Sequence, residues 1–527
     1  MDFYEHKDHL IYPTQSPFLQ QAIPESRVLN GQYLAIPKNL RNLQVLRHFN
    51  HPVPPIITDA NYDWPIMPGR KPLAHQKVMA NFHVLHPHCF NLSDMGTMKT
   101  ISALWSADWL MRQSNEPFRA LVVAPLSTLE RVWGDTIFNN FLGRRKFEIL
   151  HGSAEKRLRA LASPADFYII NFDGVGIGAH TFKRFELDGF SRELAGRDDI
   201  KLVIVDEASA YKDAQTKRHR LSRLVFGKRP YLWPLSGTPT PNAPTDAYGI
   251  AKLVNNAFGK SFGAFQLETM TKVSMYKWVP KKDGYDKARQ LLTPSIRYDI
   301  KDVWDGPEFT TQQREVALTD QQKKLLADLK RDLQVTVKSG QPITATSEAA
   351  ARTKFLQVSL GAVYDLHHDY HEVDAKPRVN ELKEIIAQAP AKILLMVPLT
   401  SVLTLLYKEL HHWSREVVNG DTSRKERSRI FSAFQCEDEP RILLADPGTL
   451  SHGLDLWRAQ TVVWYGPTEK TEVYLQANRR AHRPGQKFPV TIVQLVSNKL
   501  EIEIYRRLEN NASLQGTLLD MVRRGEL

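Results

Sequence analysis

Phe90-Asn91-Leu92-Ser93-Asp94-Met95-Gly96-Thr97-Met98-Lys99-Thr100 is a short apolar run, a loop of small and polar residues, and a Lys-Thr pair that opens a helix-length segment, 100–112. A strand that breaks into such a loop and resumes at once as a helix is the context a phosphate-binding loop requires. N–H groups of the loop and of the helix N-terminus there point at one anion. In that reading Asp94, Met95, Gly96, Thr97 and Met98 shape a cradle for ATP, Lys99 neutralises the terminal phosphates, and the Thr100 hydroxyl ligates Mg²⁺. Met98 stands where the usual pattern has a second glycine, and a methionine tolerates positive φ poorly, although its N–H stays available. Gly-x-x-Lys-Thr alone decides nothing, because such a tetrad occurs by chance in many loops.

The partners lie elsewhere in the chain. Lys201-Leu202-Val203-Ile204-Val205-Asp206-Glu207-Ala208-Ser209 is a basic residue, four apolar residues and two carboxylates. A buried parallel strand ending in Asp-Glu delivers both groups to the edge of the sheet where such folds bind ligands. Asp206 suits Mg²⁺ held through its waters, and Glu207 suits polarisation of the attacking water. A surface Asp-Glu pair capping a helix is the bland alternative, and four buried-type residues leading into the pair count against it. About one helix upstream of the phosphate loop, Gln76 carries an amide able to pair with both edges of adenine.

Working outward, short apolar runs at 90–92, 120–124, 167–170, 202–205 and 231–235 alternate with helix-length segments. A second set, 393–397, 417–419, 442–445, 461–465 and 490–496, does the same, with helices at 401–413 and 424–434. Continuous Val/Ile/Leu runs alternating with helices imply an α/β fold in which parallel sheets are covered on both faces. The chain divides on this reading into an accessory region and linker (1–68), a first lobe (69–254), a largely helical bridge (255–375, with its clearest helix at 321–337), a second lobe (376–510) and a tail (511–527). In the accessory region a strand at 33–37 and a helix at 40–49 precede a proline-dense stretch, 52–68, that reads as a linker.

Of the 527 residues, 70 are Lys or Arg and 58 Asp or Glu, a basic balance that favours a polyanionic partner without requiring one. Cys89 and Cys436 are the only cysteines, which excludes a disulfide framework and a four-cysteine zinc site and points to a reducing compartment. The first residues lack a signal-peptide pattern, and no apolar run approaches the ~20 residues needed to span a membrane. A cytoplasmic protein with no membrane partner is expected. His83, His86, His88 and Cys89 straddle the approach to a strand, so their side chains should diverge rather than hold a metal. For His367, His368, His371 and Glu372 a polar loop or helix face is the better reading. Arg144-Arg145-Lys146 and Lys281-Lys282 read as solvated surface.

In order along residues 71–510 these segments resemble helicase superfamily two, specifically its Swi/Snf-type DNA-dependent ATPase branch (DEAD/DEAH-box helicase-like). Leu121-Val122-Val123-Ala124-Pro125-Leu126-Ser127-Thr128 is similar to the motif whose polar residues meet the nucleic-acid backbone; Asp206-Glu207-Ala208-Ser209 resembles the DEAH box, with Ser209 in place of histidine. Ser236-Gly237-Thr238-Pro239-Thr240-Pro241-Asn242 looks like the motif coupling ATP to nucleic acid, and residues 296–303 like the segment bridging the lobes. Gln476-Ala477-Asn478-Arg479-Arg480-Ala481-His482-Arg483-Pro484-Gly485-Gln486 is the most specific match. Arginines three apart on a helix share a face, so Arg480 and Arg483 are placed as arginine fingers on the γ-phosphate. Within 446–456, Gly453 and Asp455 match nucleotide-side positions, while Leu450-Ser451 replaces the family's glycine pair.

The resemblance implies two RecA-like lobes that use ATP and Mg²⁺. It also implies nucleic-acid contacts from Ser127, Thr128 and Asn171, and tracking along duplex DNA by backbone contacts without sequence readout. The compact chain points to a phage or bacterial source, hence to a host's cytoplasm if viral, and replication, recombination or repair proteins are the partners that fit. Two rival readings stay open at this stage: a strand-separating DNA or RNA helicase, and a nucleic-acid-binding scaffold with weakened ATPase, the latter motivated by Met98 and Leu450-Ser451.

Overall fold

The structure, a computed structural model, describes residues 3–13, 16–179, 186–273, 278–338, 345–364, 370–450 and 456–510. The chain forms two compact units. One comprises Met1–Thr240, Thr245–Thr269 and Asp283–Val303, the other Pro241–Pro244, Met270–Lys282 and Trp304–Leu527. The stretch read as one helical bridge is thus divided between them.

In the first unit five parallel strands lie in the spatial order Tyr231–Pro234, Ile200–Val205, Arg119–Ala124, Phe167–Asn171 and Phe147–Leu150. Bridges from His88 and Asn91 to Leu232 and Leu235 add the strand Phe90–Asn91, which pairs in parallel with Ser295–Ile296. Successive side chains point to opposite faces of a strand. Leu121, Val123, Val203 and Val205 accordingly enter one hydrophobic core, while Ala120, Val122, Leu202 and Ile204 enter the other. Burial on both faces is what makes these strands read as unbroken apolar runs. Phe147–Leu150 was not anticipated; it is an edge strand of four residues, three of them only partly buried.

The helix Ala247–Val254 closes on the turn after Asp206-Glu207, and Gly249 is the point of contact. A Cβ at Gly249 would run into the carbonyls of Tyr211 and Lys212. Backbone cannot rotate aside as a side chain can, so Gly249→Ala is expected to destabilise the first unit by about 3 kcal/mol, the upper end for overpacking. The midpoint of urea unfolding checks this; an unchanged midpoint would show that the helix has room to shift.

The accessory region holds more than the one strand and one helix expected. An antiparallel sheet orders Tyr4–His6, His9–Tyr12, Tyr33–Pro37 and Arg27–Leu29, and the helix Leu40–His48 packs its Leu43 and Leu46 against Leu10, Tyr12 and Ile36. The proline-dense stretch is not a free linker. Ile57, Tyr62 and Trp64 are buried in the same core as Trp105 and Ala107. The Asn81 carboxamide accepts from the N–H groups of Ile56 and Ile57, both at 2.8 Å, and Trp105 Nε1 donates to the Pro65 carbonyl at 2.7 Å. Prolines here hold an extended chain against the lobe instead of releasing it.

The second unit carries six parallel strands in the order Phe309–Glu315, Val490–Val496, Ala459–Trp464, Lys392–Met396, Ile442–Ala445 and Arg415–Val418. Helices Lys376–Gln388, Thr400–Glu409, Arg424–Cys436, Thr471–Ala481 and Lys499–Glu509 cover it, so each unit is a RecA-like α/β lobe. Phe309–Glu315 lies within the region expected to be mainly helical. All seven of its residues are exposed, so no apolar pattern marks it. No helix among the described residues is long and apolar enough to cross a membrane.

Candidate functional site

The phosphate loop leaves the strand Phe90–Asn91 and ends at Met98, the residue that caps the helix Lys99–Gln113. Gly96 lies at φ 86° and Met98 at φ 60°, ψ 42°. The methionine therefore adopts the left-handed conformation that a glycine would take freely, at a cost of about 1–3 kcal/mol for a non-glycine residue. The cap makes no side-chain hydrogen bond to the helix N-terminus, which leaves those N–H groups suited to a phosphate. Lys99 Nζ donates to the carbonyls of Ser93 at 2.7 Å and Asp94 at 2.9 Å, bringing its charge over the loop. Thr97 Oγ1 donates to the Asp94 carbonyl at 2.8 Å. The loop is braced from the side by residues 297–300: Asp94 N–H donates to Tyr298 O at 2.9 Å, Tyr298 N–H to Ser93 Oγ at 3.1 Å, and Ile300 N–H to Asp94 Oδ2 at 3.3 Å.

Gln76 sits in the helix Ala74–Leu85 and is fully buried. Its Oε1 accepts from Leu73 N–H at 2.9 Å and its Nε2 donates to Met98 Sδ at 2.9 Å. Both amide edges expected to read adenine are thus engaged within the chain. A thioether is a weak acceptor, so the Nε2 contact is the one a nucleobase displaces most easily.

Asp206 and Glu207 end the strand Ile200–Val205 at its C-terminal edge. Asp206 Oδ1 accepts from Glu207 N–H at 3.0 Å and Oδ2 from Trp133 Nε1 at 2.9 Å. Glu207 itself is left-handed, at φ 47°, ψ 56°, a second strained residue in the same region. At the next strand end, Gly237 packs so closely on the phosphate loop that a Cβ would come within 3.0 Å of Met95 Cγ and 3.2 Å of Met95 N. Phosphate loop, carboxylate pair and Ser236-Gly237-Thr238 therefore share one edge of one sheet. A loop with N–H donors and a lysine, beside two carboxylates, has the donor chemistry a magnesium nucleotide needs. Trp133 was missed by sequence reasoning; it is 73 residues from Asp206, and nothing in local spacing links the two.

Ser127 is exposed, but Thr128 is only 2% exposed and its hydroxyl donates to the Pro125 carbonyl at 2.9 Å. Asn171 Oδ1 accepts from Arg157 Nη2 at 3.3 Å. In the second unit, Arg480 is 7% exposed and its Nε donates to the Leu450 carbonyl at 2.9 Å. Arg480 and Arg483 do not share a helix face: the helix Thr471–Ala481 stops at its C-cap His482, leaving Arg483 in the following turn. Pro484 accounts for this, since the residue before a proline disfavours helical backbone. Gly453 and Asp455 lie outside the described residues, as do His367 and His368.

Other polar groups are absorbed by structure. His83 stacks on Trp233 at 5.0 Å, and burial pushes its pKa down to about 3, so it is a neutral core histidine. Among the described residues no group of three or more His, Cys, Asp or Glu is placed to hold a metal. Arg144 and Arg145 are not plain solvated surface: both pair with buried Asp108, at 2.7 and 2.6 Å.

A parallel-sheet lobe with this loop and carboxylate pair, joined to a second parallel lobe, defines an ATP-hydrolysing motor of the helicase type. Residues 86–371 match the SNF2-related domain and residues 377–485 the helicase conserved C-terminal domain. The chain belongs to the SNF2-related family and is a nucleic-acid-dependent ATPase. Putative protein p41 of Acyrthosiphon pisum secondary endosymbiont phage 1 is 23% identical over 494 residues, covering 86% of this chain and 99% of that one. Chromodomain-helicase-DNA-binding protein 1-like of Danio rerio is 24% identical over 464 residues, covering 82% of this chain. This chain spans only 42% of the zebrafish protein. The Sulfolobus solfataricus SWI2/SNF2 ATPase core in complex with dsDNA aligns with a TM-score of 0.39 at 19% identity, over 87% of this chain and 94% of that one.

Proposed function

We propose that this chain converts ATP hydrolysis into movement along duplex DNA, gripping the phosphate backbone without reading bases. The observation that carries the reading is the meeting of the Ser93–Thr100 loop, Asp206-Glu207 and Gly237 at one sheet edge, with Gly237 packed against Met95. Nucleotide site and coupling segment are then in direct mechanical contact. The net charge of +12 and the exposed Ser127 suit a phosphate backbone, and the zebrafish relative is by name DNA-binding.

In this mechanism Lys99 and the loop N–H groups hold the phosphates, and Gln76 exchanges Met98 for adenine. Thr100 and Asp206 would hold Mg²⁺, which would offset the charge of the phosphate oxygens. Glu207 orients the attacking water and accepts its proton. Arg480 and Arg483 act as arginine fingers on the γ-phosphate in the ATP-bound state and release it after hydrolysis, while Gly453 and Asp455 are assigned to nucleotide binding by their motif positions alone. Contacts made in one state only are what turn binding energy into a conformational step.

The test is ATP hydrolysis without polynucleotide and with duplex DNA, single-stranded DNA or RNA, in wild type and Glu207→Gln. Duplex DNA is expected to stimulate the wild type most, and Glu207→Gln to lower the stimulated rate by about 10²–10⁴-fold, the range for losing a general base. Stimulation by single strands or RNA alone would replace the duplex-tracking reading with that of a strand-separating helicase.

A further inference from the structure

We infer that Trp133 is a positioning residue for hydrolysis, through which the segment that meets nucleic acid sets the orientation of Asp206. The inference rests on the roles proposed above for Asp206 and Ser127 and adds a physical link between them. The Trp133 side chain is fully buried and its only polar atom, Nε1, donates to Asp206 Oδ2 at 2.9 Å. With Glu207 N–H on Oδ1 at 3.0 Å, both carboxylate oxygens are held and the plane of the group is defined. A rigid indole is well suited to this, because one donor on a packed ring has little freedom to follow the carboxylate elsewhere.

The path by which Trp133 arrives there is unusual. Leu126–Thr128 is a 3₁₀ turn, and Leu129–Gly134 continues it as a π-helix. π-Turns are rare and concentrate at functional sites; the extra residue in the turn rotates the residues beyond it by about 100° relative to an α-helix. Trp133 lies within this π-turn, with its side chain buried and bonded to Asp206. The segment is also tied down along its length: the Thr128 hydroxyl is locked on the Pro125 carbonyl, and Leu129 and Trp133 are both wholly buried. Exposed Ser127 is therefore six residues from the indole on a stiff path. A backbone phosphate bound at Ser127 displaces the π-turn, and the indole carries the displacement to the Asp206 carboxylate, the group that would hold Mg²⁺. This also gives the buried Thr128 hydroxyl a purpose, as a brace for Ser127.

The experiment compares wild type, Trp133→Phe and Trp105→Phe. Trp105 is the control, a buried indole that donates to the Pro65 carbonyl instead of a carboxylate. Equilibrium binding of a fluorescent, non-hydrolysable ATP analogue is followed as Mg²⁺ is titrated, and duplex-stimulated ATPase is measured beside it. Trp133→Phe is expected to raise the Mg²⁺ concentration for half-maximal binding about 10-fold or more, as loss of a bond to a metal-holding group does. The ratio of stimulated to basal hydrolysis should fall by a similar factor, with Trp105→Phe unchanged on both. A benzothienyl-alanine at position 133, which replaces N–H by sulfur in a ring of the same shape, repeats the test should the phenylalanine variant fold poorly. Either variant showing wild-type Mg²⁺ dependence and wild-type stimulation overturns the inference. A wild type that duplex DNA does not stimulate would instead defeat the proposed function, while the Mg²⁺ titration still reports on the Trp133–Asp206 bond.

Discussion

Lys99→Ala is expected to abolish useful ATP hydrolysis, with kcat/KM falling by at least about 10²–10³-fold, the loss that accompanies removal of one preorganised charge-stabilising donor. In the structure the ammonium group spans the Ser93 and Asp94 carbonyls at 2.7 and 2.9 Å, so the loop itself positions the charge. Phosphate oxygens outcompete carbonyls for it, because they add charge–charge attraction to a hydrogen bond whose donor is already ionised. The loop itself should survive the substitution. Thr97 is bonded to Asp94, residues 297–300 brace Ser93 and Asp94 from the segment that follows the strand Ser295–Ile296, and Gly237 packs on Met95. A melting temperature close to wild type is therefore expected beside the lost activity, and the variant should bind ATP more weakly, unlike Glu207→Gln, which should bind it and fail to cleave it. Steady-state phosphate release and nucleotide binding on both variants check the contrast. Lys99→Ala hydrolysing within threefold of wild type would remove the loop from the mechanism.

Burial decides which elements are legible in the sequence and which are not. Leu202–Val205 and Ile442–Ala445 were legible because a strand covered on both faces must be apolar at every position. Phe309–Glu315 was not, because an edge strand with every residue exposed is free to be Phe-Thr-Thr-Gln-Gln-Arg-Glu. Lys99, Asp206 and Glu207 were visible because strand, loop and helix bring them to the sheet edge within a few residues of backbone. The bonds that orient them were not. Asp94 is held from residue 300 and Asp206 from residue 133, separations set only by the tertiary fold. Prolines between 52 and 68 misdirected the reading for a related reason: they mark an extended chain, but whether it is loose depends on Tyr62 and Trp64 finding a core beside Trp105. At Met98 the chemistry overrode the pattern, since the backbone takes the glycine conformation and the side chain gains a contact to Gln76 in return.

The largest stability effect should come from the second lobe, at a pair of residues with no part in chemistry. Arg378, in the helix Lys376–Gln388, is 2% exposed and Glu501, in the helix Lys499–Glu509, is wholly buried; their side chains meet at 2.6 Å. The guanidinium also donates to Ser497 Oγ at 2.7 Å and to the carbonyls of Tyr465 and Leu495, while Glu501 Oε2 accepts from Ser497 N–H at 2.8 Å. One ion pair thus fastens two helices to the ends of two central strands, Ala459–Trp464 and Val490–Val496. Arg378→Leu leaves the Glu501 carboxylate buried without its counter-charge and strands two strand-end carbonyls, which should cost about 3–5 kcal/mol. Removing both charges should cost less than removing one, because the penalty lies in the orphaned charge more than in the lost attraction. Arg378→Leu combined with Glu501→Leu is accordingly expected to unfold at a higher urea concentration than Arg378→Leu alone. If the double variant were as unstable as the sum of the two single ones, the pair would be contributing geometry through its carbonyl bonds, and Arg378 would matter as a clasp on Tyr465 and Leu495 independently of its charge partner.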